Sequence, residues 1–82
     1  MSSPDNSGTA AKLVYMANQI ATFFMSQDKA TASEKTAEHL KKFWDPRMRK
    51  EIVAQLDAGG AGFSPNVRAA VEALRAALPK SA

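Results

Sequence analysis

The stretch from Leu13 through Gln27 contains no charged residue, and it constrains the fold of this chain more than any other segment. At about 100° per residue its apolar side chains spread over an arc of roughly 200°, whereas a surface helix needs an apolar stripe of about 100° or a little more. Its polar positions can form hydrogen bonds without carrying charge; they are Tyr15, Asn18, Gln19, Thr22 and Ser26. We therefore predict a helix that starts near Ser7 or Thr9, continues to about Ser26, and is buried on nearly every side.

A chain of 82 residues can hardly surround one of its own helices, because so small a domain buries only about 60% of its chain surface on folding. Two explanations are open. In the first, part of this helix is covered by another protein. In the second, three shorter helices wrap it in a tight bundle, and an isolated chain would then be monomeric without dye-accessible apolar surface.

Length and composition indicate one small domain. The chain has no Cys, which excludes disulfides and thiolate metal sites and fits a reducing compartment, so we expect a cytoplasmic protein. The N-terminus lacks the basic start and apolar stretch of a secretory signal, and no run approaches the roughly 18 apolar residues of a membrane span. We expect a disordered polar tail over 1–8, a single helical domain over 9–79, and a loose C-terminus over 80–82.

The second helix is predicted to run from about Ala32 to Phe43. Thr31 followed by Glu34 fits a capping box at its start. One face of this helix is apolar, with Trp44 next to it; the face holds Ala32, Thr36, Ala37, Leu40 and Phe43. His39 lies at the edge of that face, and a lone His with no second ligand or nucleophile nearby is interpreted as a packing or capping residue.

The pair Asp45-Pro46 ends the second helix and starts the third, because Pro disfavours helical geometry before it and Asp can cap the helix that Pro opens. Five basic residues fall within ten positions around this corner: Lys41, Lys42, Arg47, Arg49 and Lys50. Such a cluster is either a solvated face or a surface for an acidic protein partner.

Arg49 falls among the apolar positions of the third helix, which are Met48, Ile52, Val53 and Leu56. Burying an arginine unpaired is very costly, so its charge needs a partner. Arg49 is expected to stack on Trp44 or to pair with a carboxylate, supplied either by this chain or by another protein.

A fourth helix starts in the same way as the third. Phe63-Ser64-Pro65 repeats the order aromatic, capping residue, Pro, and Gly59 is suited to the left-handed position that closes the third helix. The predicted core stripe of the fourth helix is Val67, Ala70, Val71, Leu74 and Leu78, and Pro79 ends it. The fold class is therefore all-α, a small bundle of four short helices with a disordered N-terminal tail.

Motifs of catalysis and metal binding are missing from the sequence. There is no Gly-rich phosphate loop, Cys/His metal spacing, Ser/His/Asp set or isolated pair of acids, so we predict that the chain is not an enzyme and holds no metal or cofactor. A helix-turn-helix DNA reader is a further alternative, with Arg47, Arg49 and Lys50 at the start of a recognition helix. Against it, that helix uses much of its surface for the core, and the net charge of +3 is low.

Three segments taken together resemble one family. They are KLVYMANQIATFF at 12–24, HLKKFWDPRMR at 39–49 and FSPNVRAAV at 63–71. In this order they are similar to the delta subunit of NAD-dependent, molybdenum-containing formate dehydrogenase, over about residues 12–78. The pieces MANQIA and FWDPRMR carry most of the resemblance.

The resemblance implies a non-catalytic accessory subunit of a soluble cytoplasmic complex that oxidises formate to carbon dioxide with NAD. In that complex the catalytic alpha subunit carries a bis(molybdopterin guanine dinucleotide) molybdenum centre and iron–sulfur clusters, and electron-transfer subunits carry further clusters and FMN. The delta subunit is expected to bind the catalytic subunit and to support its assembly or stability. The alternative is a transient maturation factor that assists insertion of the molybdenum cofactor.

We expect partner contacts from the uncharged first helix and from the corner around Asp45-Pro46, and expect neither nucleic acid nor a membrane as a partner. Trp and Arg are the residue types that most often concentrate binding energy at interfaces. The predicted partner-binding residues are Tyr15, Asn18, Gln19, Phe24, Trp44, Arg47 and Arg49.

Overall fold

The computed structural model describes residues 5–77, with side chains described from residue 10 onward. This range contains four helices and no strand: α1 (Asp5–Gln27), α2 (Ala32–Phe43), α3 (Pro46–Asp57) and α4 (Pro65–Ala77). A 3₁₀ turn, Lys29–Thr31, joins α1 to α2. The predicted all-α bundle of four helices is confirmed. None of these four helices has the length and hydropathy needed to cross a membrane.

Helix α1 begins at Asp5, earlier than the predicted start at Ser7 or Thr9. Extending an existing helix costs little, because propagation adds one hydrogen bond for each residue that it fixes. Residues 5–8, which were expected in the tail, therefore belong to α1. The rest of the predicted tail, residues 1–4, lies outside the described residues, as do Leu78, Pro79 and the predicted loose end 80–82.

The predicted capping box at α2 is wrong. Thr31 precedes α2 but makes no side-chain capping bond, and its hydroxyl has no hydrogen-bond partner among the described residues. A capping side chain needs extended backbone, whereas the 3₁₀ turn leaves Thr31 at φ −112° and ψ 8°. The 3₁₀ turn before α2 has its own capping residue: Oδ1 of Asp28 accepts from the backbone N–H of Ala30 at 3.1 Å.

Helices α3 and α4 start with the same device, as predicted. Asp45 Oδ1 accepts from the N–H of Met48 at 3.0 Å, and Ser64 Oγ accepts from the N–H of Val67 at 3.2 Å. In each case Pro occupies the first helical position, where its missing N–H costs nothing. These two starts fix the directions of α3 and α4.

A Schellman motif ends α3. The N–H of Gly59 donates to the carbonyl of Leu56 at 3.0 Å, and the N–H of Gly60 donates to the carbonyl of Gln55 at 2.8 Å. Gly59 has φ +122°, which an L residue rarely adopts. The prediction for Gly59 is confirmed.

The core receives side chains from all four helices, and α2 packs most extensively on α4 and α1. Its buried members are Leu13, Val14, Ala17, Ala21, Leu40, Trp44, Ile52, Val53, Leu56, Val67, Val71 and Leu74. The described part of the α4 stripe, from Val67 to Leu74, is buried as predicted. Ala17 and Ala21 are small, so α1 can approach its neighbours closely along this side.

Phe43 is the main exception to the predicted core. It was expected on the apolar face of α2, but its side chain is 70% exposed. The next residue explains this, because Trp44 leaves the helix in an extended conformation and is itself 5% exposed. Trp44 fills the core at this end of α2, and Phe43 remains at the surface.

Candidate protein-binding surface

One side of α1 is left uncovered by the described chain. Tyr15 is 63% exposed and Phe23 is 58% exposed, although both lie in the stretch from Leu13 to Gln27 that contains no charged residue. Exposed Gln19 lies between them and donates from Nε2 to the Tyr15 hydroxyl at 2.8 Å. We call the surface of Tyr15, Met16, Gln19 and Phe23 the open face of α1. The alternative in which three shorter helices enclose α1 is therefore wrong.

A chain of four rings crosses from α1 to α2. The centroids of Phe23 and Phe24 are 5.2 Å apart, those of Phe24 and His39 are 6.1 Å apart, and those of His39 and Phe43 are 4.7 Å apart. The first two pairs are close to edge-to-face, at 70° and 63°, which is a favoured aromatic geometry. We call these four residues the aromatic row. His39 packs between two rings, in agreement with its interpretation as a packing residue.

Both ends of the aromatic row are exposed, while its two middle members are half-buried. Beside its α2 end, Phe24, His39 and Phe43 line a shallow depression together with Lys35, Glu38 and Lys42. The lining of the depression therefore combines three rings with two cations and one anion, and we call these three charged residues its rim. Because Phe23 belongs to both surfaces, the row continues the open face of α1 onto α2.

The corner after α2 is built differently from the prediction. Trp44 was expected at the surface, but its side chain lies in the core. Among the side chains that the structure describes, Arg49 neither stacks on this indole nor meets a carboxylate. Its Nη1 donates to the backbone carbonyls of Lys41, at 3.1 Å, and of Trp44. These carbonyls belong to the end of α2, where they lack partners within the helix and attract a positive charge. Arg49 thus closes α2, and Arg47 is the exposed arginine of the corner.

Asn18 is also engaged within the chain. Its Nδ2 donates to the carbonyl of Gly62 at 2.9 Å, and its Oδ1 accepts from the N–H of Ser64 at 3.1 Å. The side chain is half-buried and holds the segment between α3 and α4 against α1. Its position in the middle of α1 gave no signal of this partner, since the partner lies more than forty residues along the chain.

The seven predicted contact residues fall into two groups. Tyr15, Gln19 and Arg47 are exposed, so another protein can contact them directly. Phe24 is half-buried in the aromatic row, between His39 and exposed Phe23. Asn18, Trp44 and Arg49 are used by the fold. Partner binding by the predicted residues stays a prediction.

The sequence analysis did not predict three of the surface residues as contact residues. They are Phe23, His39 and Phe43. The signal for Phe43 was its position next to Trp44 at a helix end, because two adjacent large rings at one turn cannot both enter a core this small.

The described residues hold no cluster of three or more His, Asp or Glu side chains arranged to bind a metal ion.

A match to a known protein family shows which family this chain belongs to. Residues 12–71 match the family FdsD, described as the delta subunit of NADH-dependent formate dehydrogenase. The chain belongs to this delta-subunit family. Neither a protein with a curated description nor a solved structure matches the chain. The resemblance seen in the sequence is confirmed, and the matched segment contains the open face of α1, the aromatic row and the corner of this delta-subunit family member.

Proposed function

We propose that this chain is a non-catalytic accessory subunit of an NAD-dependent formate dehydrogenase complex, where it binds the molybdenum-containing catalytic subunit and supports its assembly or stability. Membership of the delta-subunit family supports a place in the complex. The open face of α1 supports a binding role, and it is the observation on which the proposal depends most.

The open face combines exposed apolar area with an absence of charge. Tyr15 and Phe23 are both more than half exposed on a helix that has no charged residue between Leu13 and Gln27. Aromatic side chains bury about 150–250 Å² each when covered, and full burial of a large apolar side chain stabilises by about 1.5–3 kcal/mol. Depletion of charge together with aromatic residues and Met is typical of the centre of protein interfaces. A partner that covers this face therefore gains free energy, and none of its four residues carries a charge that must leave water.

The chemistry of formate oxidation is assigned to other subunits in this proposal. The catalytic subunit carries the bis(molybdopterin guanine dinucleotide) molybdenum centre and iron–sulfur clusters, and further subunits pass electrons through clusters and FMN to NAD. The complex is cytoplasmic. This chain contributes a surface and no reacting group.

The test is to tag this chain in its native cell, purify it gently, and quantify the accompanying proteins by mass spectrometry. Equal amounts of a molybdenum formate dehydrogenase catalytic subunit and its electron-transfer partners are expected. Trace amounts of the catalytic subunit together with cofactor-insertion proteins would instead make the chain a transient maturation factor. Recovery of neither group would overturn the proposal.

A further inference from the structure

We propose that the Phe43 end of the aromatic row, with Lys35 and Lys42 beside it, is a docking site for an apolar side chain flanked by carboxylates on the catalytic subunit. This inference rests on the proposed function and specifies the surface and the chemistry of the partner. The sequence predicted Trp44 as the contact residue at the end of α2, whereas this inference assigns the contact to Phe43.

Phe43 has the properties of an apolar anchor. It is 70% exposed, more than Tyr15 or Phe23. Its ring is held against His39 at a centroid distance of 4.7 Å, and His39 in turn contacts Phe24. A ring that is already supported on one side loses less freedom on binding than an isolated surface side chain does, so more of the burial energy contributes to affinity.

The charges beside this ring select the partner. Lys35 and Lys42 face the depression with Glu38 as the one acid among its lining residues. Within residues 10–77 the ion pair shorter than 4.0 Å is Arg75 with Asp57, so neither lysine is held by a carboxylate of this range. Lys42 also continues into the basic corner that includes Lys41 and Arg47. Carboxylates on the partner would complement this rim, and charge complementarity favours specificity and fast association.

A second copy of this chain fits the site less well. In a symmetric dimer the same patch meets itself, so Glu38 of each copy could pair with only one of the two lysines of the other copy, and the remaining lysines would lack a carboxylate within the patch. Like charges at an interface are unfavourable. An acidic surface on the catalytic subunit has no such conflict.

The test uses the tagged full-length chain and measures how much catalytic subunit is recovered with it. Two variants alter the site: Phe43→Ala removes the anchor, and Lys35→Glu with Lys42→Glu reverses the rim. Two controls match them elsewhere. Met25→Ala shortens another exposed apolar side chain, next to Pro65 and Asn66. Lys29→Glu reverses an exposed charge in the 3₁₀ turn, which does not line the depression and lies outside the basic corner.

We expect each site variant to lower recovery of the catalytic subunit about tenfold or more, because truncation of a residue that concentrates binding energy weakens binding by at least that factor. The controls should retain wild-type recovery, and recovery with the wild-type chain should fall as salt rises. Circular dichroism of the purified variants should show unchanged helix content, since all the altered side chains are exposed.

Wild-type recovery by both site variants would overturn this inference while leaving the proposed function intact. A wild-type chain that recovers no catalytic subunit would overturn the proposed function instead. A wild-type dimer in solution that Phe43→Ala converts to a monomer would assign the surface to a second copy and overturn the inference.

Discussion

The backbone N–H of Ser64 donates to Oδ1 of Asn18 at 3.1 Å. Ser64 is the residue that caps α4, and Asn18 lies in the middle of α1, so this bond fixes the start of the fourth helix against the first. The other end of the same amide donates to the carbonyl of Gly62 at 2.9 Å. One side chain therefore satisfies two backbone groups in a segment that contains no helix of its own.

Replacing Asn18 by Ala should lower the free energy of unfolding by about 1–2 kcal/mol, because the part-buried N–H of Ser64 and the exposed carbonyl of Gly62 both lose their protein partner. Urea denaturation of the isolated chain, followed by circular dichroism, measures the change. Gln19→Ala is the matched control. Gln19 is exposed and donates to Tyr15 one turn away on the same helix, so the effect of Gln19→Ala on the unfolding free energy should stay within about 0.5 kcal/mol. Equal effects of the two variants would contradict the structural role of Asn18.

The two arginines of the corner should separate in the same experiment. Arg49→Ala is expected to destabilise the chain by about 1–2 kcal/mol, because the carbonyls of Lys41 and Trp44 lose a charged donor. Arg47→Ala should change stability by no more than about 0.5 kcal/mol, since Arg47 is exposed. If Arg47→Ala lowered the unfolding free energy as much as Arg49→Ala, the assignment of Arg49 as the arginine that holds the end of α2 would be wrong.

The same pair also tests the corner as an interface. The double variant Arg47→Ala with Arg49→Ala should weaken assembly with the catalytic subunit while the isolated chain stays helical. The single variant Arg47→Ala keeps Arg49, so it shows whether the weaker assembly comes from a lost contact between Arg47 and the catalytic subunit. Because Arg49 acts within the fold, unchanged assembly of the double variant would remove the whole corner from the interface.

Gly59→Ala should destabilise the chain by about 1–3 kcal/mol. The position has open space for a Cβ atom, but its φ of +122° is strained for an L residue, so the cost comes from the backbone alone. Ala58→Gly provides a control at the neighbouring position, where φ is −83° and the cost should stay near or below about 1 kcal/mol. Thermal or urea unfolding measures both, and a neutral Gly59→Ala would argue against the Schellman ending.

Local signals in the sequence predicted the helices well. Asp45-Pro46 and Ser64-Pro65 place a capping side chain and a restricted φ at successive positions, so the starts of α3 and α4 follow from neighbouring residues alone. The capping box at Thr31 failed because the preceding turn, which depends on Asp28, changes the backbone of Thr31.

The candidate surface was harder to predict because it depends on which of several similar residues enters a core of limited size. Helical periodicity placed Phe43 inside, and only the packing of Trp44 decides that it stays outside. The partners of Asn18 and Arg49 are backbone groups, which have the same chemistry at every position and leave no trace in the sequence. The uncharged stretch from Leu13 to Gln27, in contrast, predicted an excess of apolar surface, and the structure shows where that excess lies.

The open face of α1 should be accessible to small apolar molecules in the isolated chain. The isolated chain should bind an apolar fluorescent dye, because Tyr15 and Phe23 are exposed on an uncharged surface. The double variant Tyr15→Ser with Phe23→Ser should reduce both dye fluorescence and recovery of the catalytic subunit, the latter about tenfold or more. Its unfolding free energy should change by no more than about 1–2 kcal/mol, since the packing lost in the fold is mainly the contact of Phe23 with Phe24. Met25→Ala, outside this face, should alter neither dye binding nor recovery to the same extent. A double variant that loses dye binding but keeps full recovery would show that the exposed apolar area of α1 is not the surface that the catalytic subunit covers.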